Sequence, residues 1–210
     1  MRFGRSFLLA AHLLVIAGAA SDASAASAAA PVVTILGDSI TAGYGLPADQ
    51  ALPAQIQQAV ARLGTAIDVR ASGVSGDTAE GGLARVDFSV APDTALCIIE
   101  LGANDYLQSI PPDETRASLT GIIDQLKRRH IRVLLFGGHV PRRSAGDYAA
   151  AFNAIFPALA QSEHVVLEPD FLAGVQGNPA LHQQDGIHPN AAGVRLMADR
   201  IAPYVVEALK

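Results

Sequence analysis

Four short stretches of this chain carry side chains whose types suit chemistry on an acyl group. Gly37-Asp38-Ser39 ends an apolar run, Val32-Val33-Thr34-Ile35-Leu36, and presents one hydroxyl just ahead of Gly43-Tyr44-Gly45. Ser75-Gly76-Asp77 follows a second candidate strand, and Gly102-Ala103-Asn104-Asp105 closes a third. Asp185-Gly186-Ile187-His188-Pro189-Asn190 precedes the last amphipathic segment. A serine hydroxyl is a weak nucleophile and needs a base within hydrogen-bond reach. Imidazole suits that role near neutrality, which points to His188. A carboxylate must then hold the imidazole in the right tautomer, and Asp185 sits three residues away in the same turn. The tetrahedral intermediate needs donors aimed at its oxyanion. The backbone N–H groups of Ser39 and Gly76 and the Asn104 side-chain amide offer three, and glycine at 76 lets the backbone approach a substrate closely. Each stretch alone also reads as an ordinary turn, cap or Asx motif. Four of them in one chain favour the catalytic reading.

Something must bring these stretches together. Short Val/Ile/Leu-rich runs alternate with longer amphipathic ones. Strands are expected at Val32 to Leu36, Ala66 to Ala71, Thr94 to Leu101, Ile131 to Phe136 and His164 to Leu167. Helices are expected at Ala51 to Leu63, Thr78 to Val86 (capped by Asp77 or Thr78), Asp113 to Arg129, Asp147 to Gln161 and Ala191 to Leu209 (capped by Asn190). Near-continuous apolar strands imply burial on both faces. The fold class is therefore α/β: a three-layer α/β/α sandwich around a five-stranded parallel sheet with flavodoxin-like order 2-1-3-4-5. Sites in such sheets lie beyond the carboxyl ends of the strands, where all four stretches would converge.

The bulk properties narrow the function. Arg2 and Arg5, the apolar Phe7 to Ala20 and Ala23-Ser24-Ala25 have the layout of a secretory leader. The expected organisation is a signal peptide over 1–25, a short linker over 26–30 and one domain over 31–210. The product would be periplasmic or secreted, with no stable membrane anchor after cleavage and with monomer as the default. A net charge of −5 offers no footprint for nucleic acid. Cys97, the single cysteine, sits in an apolar run and reads as an inert buried thiol. No cluster has zinc-ligand spacing, so no metal or organic cofactor is expected. Among the other histidines, His139 at the end of the fourth strand is a candidate to line the site. His130 suits a helix end, His164 and His182 have no evident partner, and Arg142-Arg143 reads as a solvated loop.

The four stretches, in order and spacing, resemble the blocks of the SGNH (GDSL-type) hydrolases across nearly all of the expected mature chain. Ser75-Gly76-Asp77-Thr78 with Gly82-Leu83-Ala84-Arg85, Glu100-Leu101-Gly102 and Phe152-Asn153-Ala154-Ile155-Phe156-Pro157 are most similar to the secreted bacterial acyl-CoA thioesterase I, lysophospholipase and arylesterase group. The resemblance implies Ser39 as nucleophile, Asp185 and His188 as its triad partners, and Ser39, Gly76 and Asn104 as the oxyanion hole. It implies hydrolysis of a small-molecule ester or thioester through an acyl-Ser39 intermediate. Ile40 stands where that family's name has leucine, a packing change, and Ala103 stands where close relatives have glycine, which matters only if φ there is positive. No G-x-S-x-G elbow is present for the rival α/β-hydrolase chemistry. Two alternatives keep the scaffold: an O-acetyl esterase acting on carbohydrate or cell wall, and a non-catalytic periplasmic binding protein.

Overall fold

The computed structural model describes Met1 and residues 29–138 and 146–210. Apart from Met1, the expected leader lies outside the described residues, as do His139, Arg142 and Arg143. Five strands, β1 (Val32–Gly37), β2 (Asp68–Gly73), β3 (Thr94–Glu100), β4 (Arg132–Phe136) and β5 (Val166–Glu168), form one parallel sheet in the order β2-β1-β3-β4-β5. This is the topology the sequence predicts. The helices are α1 (Leu52–Arg62), α2 (Ala79–Ser89), α3 (Ala103–Leu107), α4 (Pro112–Arg128), α5 (Gly146–Glu163) and α6 (Ala191–Ala208).

The two faces of the sheet are both apolar, and strand alternation sorts them. Val33, Ile35, Leu96, Ile98, Leu134 and Phe136 pack under α1 and α6. Leu36, Cys97, Ile99, Val133 and Leu135 pack under α2, α4 and α5. Each fully buried aliphatic side chain contributes about 1.5–3 kcal/mol, so the two clusters rather than any loop hold the sheet edge in place. Burial pushes the Cys97 thiol up to about 12, which fits the inert role expected of it.

The chain leaves β1 over one face through α1 and returns from β2 over the other through α2. The crevice between the carboxyl ends of β1 and β3 is therefore a topological switch point, where a ligand site is expected.

Three local differences from the sequence reading have clear causes. β2 begins two residues later than expected because its register is set by pairing Val32–Gly37 with Asp68–Gly73. β5 begins at Val166 because His164, at φ 52°, closes α5 while the Val165 N–H bonds back to the Ala160 carbonyl at 3.1 Å. His130, at φ 57°, closes α4 in the same left-handed way. Finally, the expected loop after β3 is α3, a helix too short to show a period; Gly102, at φ 117°, makes the turn into it. Ala103 is its first helical residue and has no positive φ, so its departure from glycine carries no strain.

Candidate active site

Ser39 sits on the turn that leaves β1. The turn is held by hydrogen bonds from the Ala42 N–H to the Asp38 carbonyl (2.9 Å), from the Tyr44 N–H to the Ser39 carbonyl (3.0 Å) and from the Ile40 N–H to Asp38 Oδ1 (3.1 Å). Gly37 is required by space: a Cβ there would lie 2.2 Å from Thr41 Oγ1 and 2.4 Å from Glu100 Oε2.

The Asp185 turn is organised by its own carboxylate. Asp185 Oδ1 accepts the Ile187 and His188 N–H groups at 2.9 and 3.0 Å. That leaves Oδ2 facing His188 Nδ1 at 2.6 Å, and His188 Nε2 lies 2.8 Å from Ser39 Oγ. With a carboxylate at Nδ1, that nitrogen carries the proton, and Nε2 accepts from the Ser39 hydroxyl. The His188 hydrogen bond, reinforced by the two backbone amides, holds the Asp185 carboxyl down to about 2, so it is ionised throughout the neutral range. The three residues expected to form a relay are thus brought into one line.

The expected oxyanion donors lie around the same hydroxyl's loop. Neither the Ser39 nor the Gly76 N–H has an acceptor among the described residues. Gly76 adopts φ 84° with no atom within 4 Å of where a Cβ would stand, so glycine is needed there for its conformation rather than for room. Asn104 is more constrained than expected. Its Nδ2 donates both to Asp38 Oδ2 (3.0 Å) and to the Asp77 carbonyl (2.9 Å), so both amide hydrogens already have acceptors. Donation to an oxyanion requires one of them to be shared.

Asp77 is not the cap of α2. Thr78 is, accepting the Gly81 N–H at 3.2 Å. Asp77 instead pairs with Arg85 Nε at 2.7 Å, a mostly buried pair. The same guanidinium donates to the Ser72 and Gly37 carbonyls at 3.0 and 2.9 Å. Arg85 therefore ties the ends of β1 and β2 to the loop that carries Gly76, and a carboxylate that faces an arginine is not free to cap a helix. Asp105 has the structural role expected of it, accepting the Ala79 N–H (2.9 Å) and the Thr115 hydroxyl (3.0 Å).

Beneath Ser39 lies a pair of buried carboxyl groups. Glu100 Oε2 accepts the Asp38 N–H at 3.1 Å and the Thr41 hydroxyl at 2.7 Å. Burial first, and the adjacent Asp38 second, push the Glu100 carboxyl well above its ordinary range. Burial also raises Asp38, but Ile40, Asn104 and Ser39 all donate to it, so the shared negative charge belongs on Asp38 and Glu100 is the neutral partner. A group with a raised native pKa contributes stability that is fully present below its unfolded value, near 4.5, and lost as pH rises through the native value. Glu100→Gln, which is neutral at every pH, is therefore expected to gain stability relative to wild type as pH rises above about 4.5. Chemical denaturation of both proteins at a series of pH values checks this; a constant difference would contradict it.

A cavity of about 280 Å³ borders the Asp185–His188 turn through Gly186 and Ile187 and the Asn104 loop through Gly102 and Ala103, while Ser39 and His188 do not themselves line it. Gly102, Tyr106, Phe152, Phe156, Phe171 and Ile187 form most of its apolar wall. Gly138, Leu172, Gln176 and Gly177 complete part of its rim. His182, without an evident partner in the sequence, lines it and bonds through Nδ1 to the Asn178 carbonyl at 2.9 Å. Sequence reasoning gave no role to Tyr44, Gln183 or Glu100. Only Glu100 left a signal, as the one charge in the apolar run of β3.

The same chain regions are matched by known proteins. The model of the GDSL-like lipase/acylhydrolase family matches residues 35–196. An arylesterase of Vibrio mimicus is 34% identical over 187 residues, covering 89% of this chain and 94% of that protein. The thioesterase 1/protease 1/lysophospholipase L1 of Escherichia coli K12 is 35% identical over 177 residues, covering 84% of each. Among solved structures, AlinE4, an esterase of the SGNH-hydrolase family, superposes with a TM-score of 0.71 at 38% identity, covering 86% of this chain and 97% of that one.

Proposed function

The chain belongs to the GDSL-like lipase/acylhydrolase family and is a carboxylic ester hydrolase, and from that premise we propose that Ser39 is its nucleophile, with His188 as base and Asp185 as the group that orients it. The observation that carries this reading is the continuous line from Asp185 Oδ2 through His188 to Ser39 Oγ, with separations of 2.6 and 2.8 Å.

The chemistry follows from that line. Ser39 Oγ attacks the acyl carbonyl carbon while its proton passes to His188 Nε2. The imidazolium so formed is stabilised by ionised Asp185. The carbonyl oxygen, now negative, lies toward the N–H groups of Ser39 and Gly76, with Asn104 as third donor. Collapse breaks the bond to the leaving oxygen or sulfur, which takes the proton from His188 and departs as alcohol or thiol. Water then attacks the acyl-Ser39 carbon and gives a proton to His188. The second collapse releases the carboxylic acid and returns that proton to Ser39 Oγ. The apolar cavity that borders the Asp185–His188 turn suits an acyl or aryl group and offers a sugar few hydrogen-bond partners, which disfavours the O-acetyl esterase alternative.

Substrates are proposed to be acyl or aryl esters, with acyl thioesters and lysophospholipids as further classes, hydrolysed by a monomer in the periplasm or outside the cell. Among the described residues no helix is long and apolar enough to cross a membrane. The test pairs a fluorophosphonate probe with a p-nitrophenyl ester series of increasing chain length and one acyl thioester. Labelling of wild type together with ester turnover is expected; a folded wild type that neither labels nor turns over any ester would sink the reading.

A further inference from the structure

His188 is held in its ring plane by two partners, Asp185 at Nδ1 and Ser39 at Nε2. Neither restrains its faces. Tyr44 does: its ring centroid lies 4.4 Å from that of His188, with the planes 31° apart. Tyr44 belongs to the nucleophile loop and His188 to a distant turn, so the contact needs a brace, and Gln183 supplies one. Its backbone N–H donates to the His188 carbonyl at 2.8 Å. Its Nε2 donates to the Tyr44 carbonyl (2.8 Å) and to the Pro189 carbonyl (3.0 Å). Gly45, at φ 71°, leaves the space this amide fills: a Cβ there would stand 2.1 Å from Gln183 Oε1.

An aromatic face against a histidine that becomes cationic twice per turnover has a definite consequence. The negative face of the ring attracts the imidazolium and not the neutral imidazole. It favours the state that accompanies each tetrahedral intermediate, and so acts on the barrier rather than on substrate binding. The other charges near the ring are ionised Asp185 in its own turn and Asp38 behind Ser39. Asp185 meets the ring through Nδ1, and no second carboxylate among the described residues lies within ion-pair distance of His188.

We propose that Tyr44 is a positioning residue of the reaction, whose ring face, pinned by Gln183, steadies the His188 imidazolium during both acyl transfer steps. The proposal rests on the assignment of His188 as the base. Tyr44 is about half exposed, so replacing it leaves the core intact. With p-nitrophenyl butyrate, Tyr44→Phe and Tyr44→Trp are expected to keep kcat within about twofold of wild type. Tyr44→Leu is expected to lower kcat about fivefold with KM unchanged. Tyr44→Met, a second ringless variant, guards against a leucine variant that misfolds, and circular dichroism monitors the fold of each. An unchanged kcat in both ringless variants overturns the proposal. So does a phenylalanine variant as slow as leucine, which would assign the effect to the hydroxyl. So too does a rise in KM alone, which would make Tyr44 a substrate contact. In each of those cases the wild type still turns over ester and the assignment of His188 stands; a wild type without esterase activity overturns that assignment and the proposal with it.

Discussion

Ser39→Ala is expected to lower kcat by about 10⁴-fold or more toward every ester the wild type cleaves, and to abolish fluorophosphonate labelling. The size follows from what is lost. Without Oγ no acyl-enzyme forms, and His188 is left with only solvent water to activate. The apolar cavity and the Ser39 and Gly76 N–H groups, which have no acceptor among the described residues, remain, and this limits the loss to less than the whole rate enhancement. The fold is expected to be unaffected, because among the described residues Ser39 Oγ bonds to His188 Nε2 and, weakly at 3.4 Å, to Asp38 Oδ1 and to nothing else. Steady-state kinetics and a melting curve on the same preparation separate the two effects. Retained turnover in Ser39→Ala would remove Ser39 from the chemistry whatever the geometry around it.

The second large effect is expected from Asn104. Loss of one oxyanion donor typically costs about 10²–10³ in kcat, and Asn104→Ala is expected to fall at least 10²-fold with KM little changed. The structure adds a second consequence. Asn104 Nδ2 also serves Asp38 Oδ2 and the Asp77 carbonyl. Alanine strips a donor from a buried carboxylate, which is expected to cost about 1–3 kcal/mol of stability. The two losses are measured independently, one in kcat at saturating ester and one in denaturation. A variant that loses stability but keeps its kcat would show Asn104 to be a brace between two loops and not an oxyanion donor.

These expectations draw on different levels of the molecule. Strand positions, and with them the sheet order, were legible because each β1, β3 and β4 run is apolar on both faces, a pattern that only a covered parallel sheet satisfies. The Asp185–His188 contact was legible too, since only two residues of one turn separate the partners and Asp185 caps the turn itself. Harder to read were pairings in which one residue had two plausible uses. Asp77 stands where a helix cap would, and nothing local says that Arg85 claims it from the next turn of α2. Glu100 ends an apolar strand, and its burial beside Asp38 depends on the turn after β1 folding over it.

What the sequence determined by itself, then, was local: backbone preferences, apolar periods, and the residue types that chemistry at a strand end demands. These are set by neighbours a few residues away, and so they survive without knowledge of the rest of the chain. What only the tertiary structure decided was which of those residues meet. Ser39 and His188 are 149 residues apart, and their 2.8 Å contact exists because α1 and α6 pack on one face of the sheet and bring both loops to its carboxyl edge. The ring of Tyr44 over His188, the Gln183 brace and the double commitment of Asn104 are of the same kind. Each depends on distances across the switch point between β1 and β3, and packing fixes those distances to within an ångström, whereas residue order alone leaves them open.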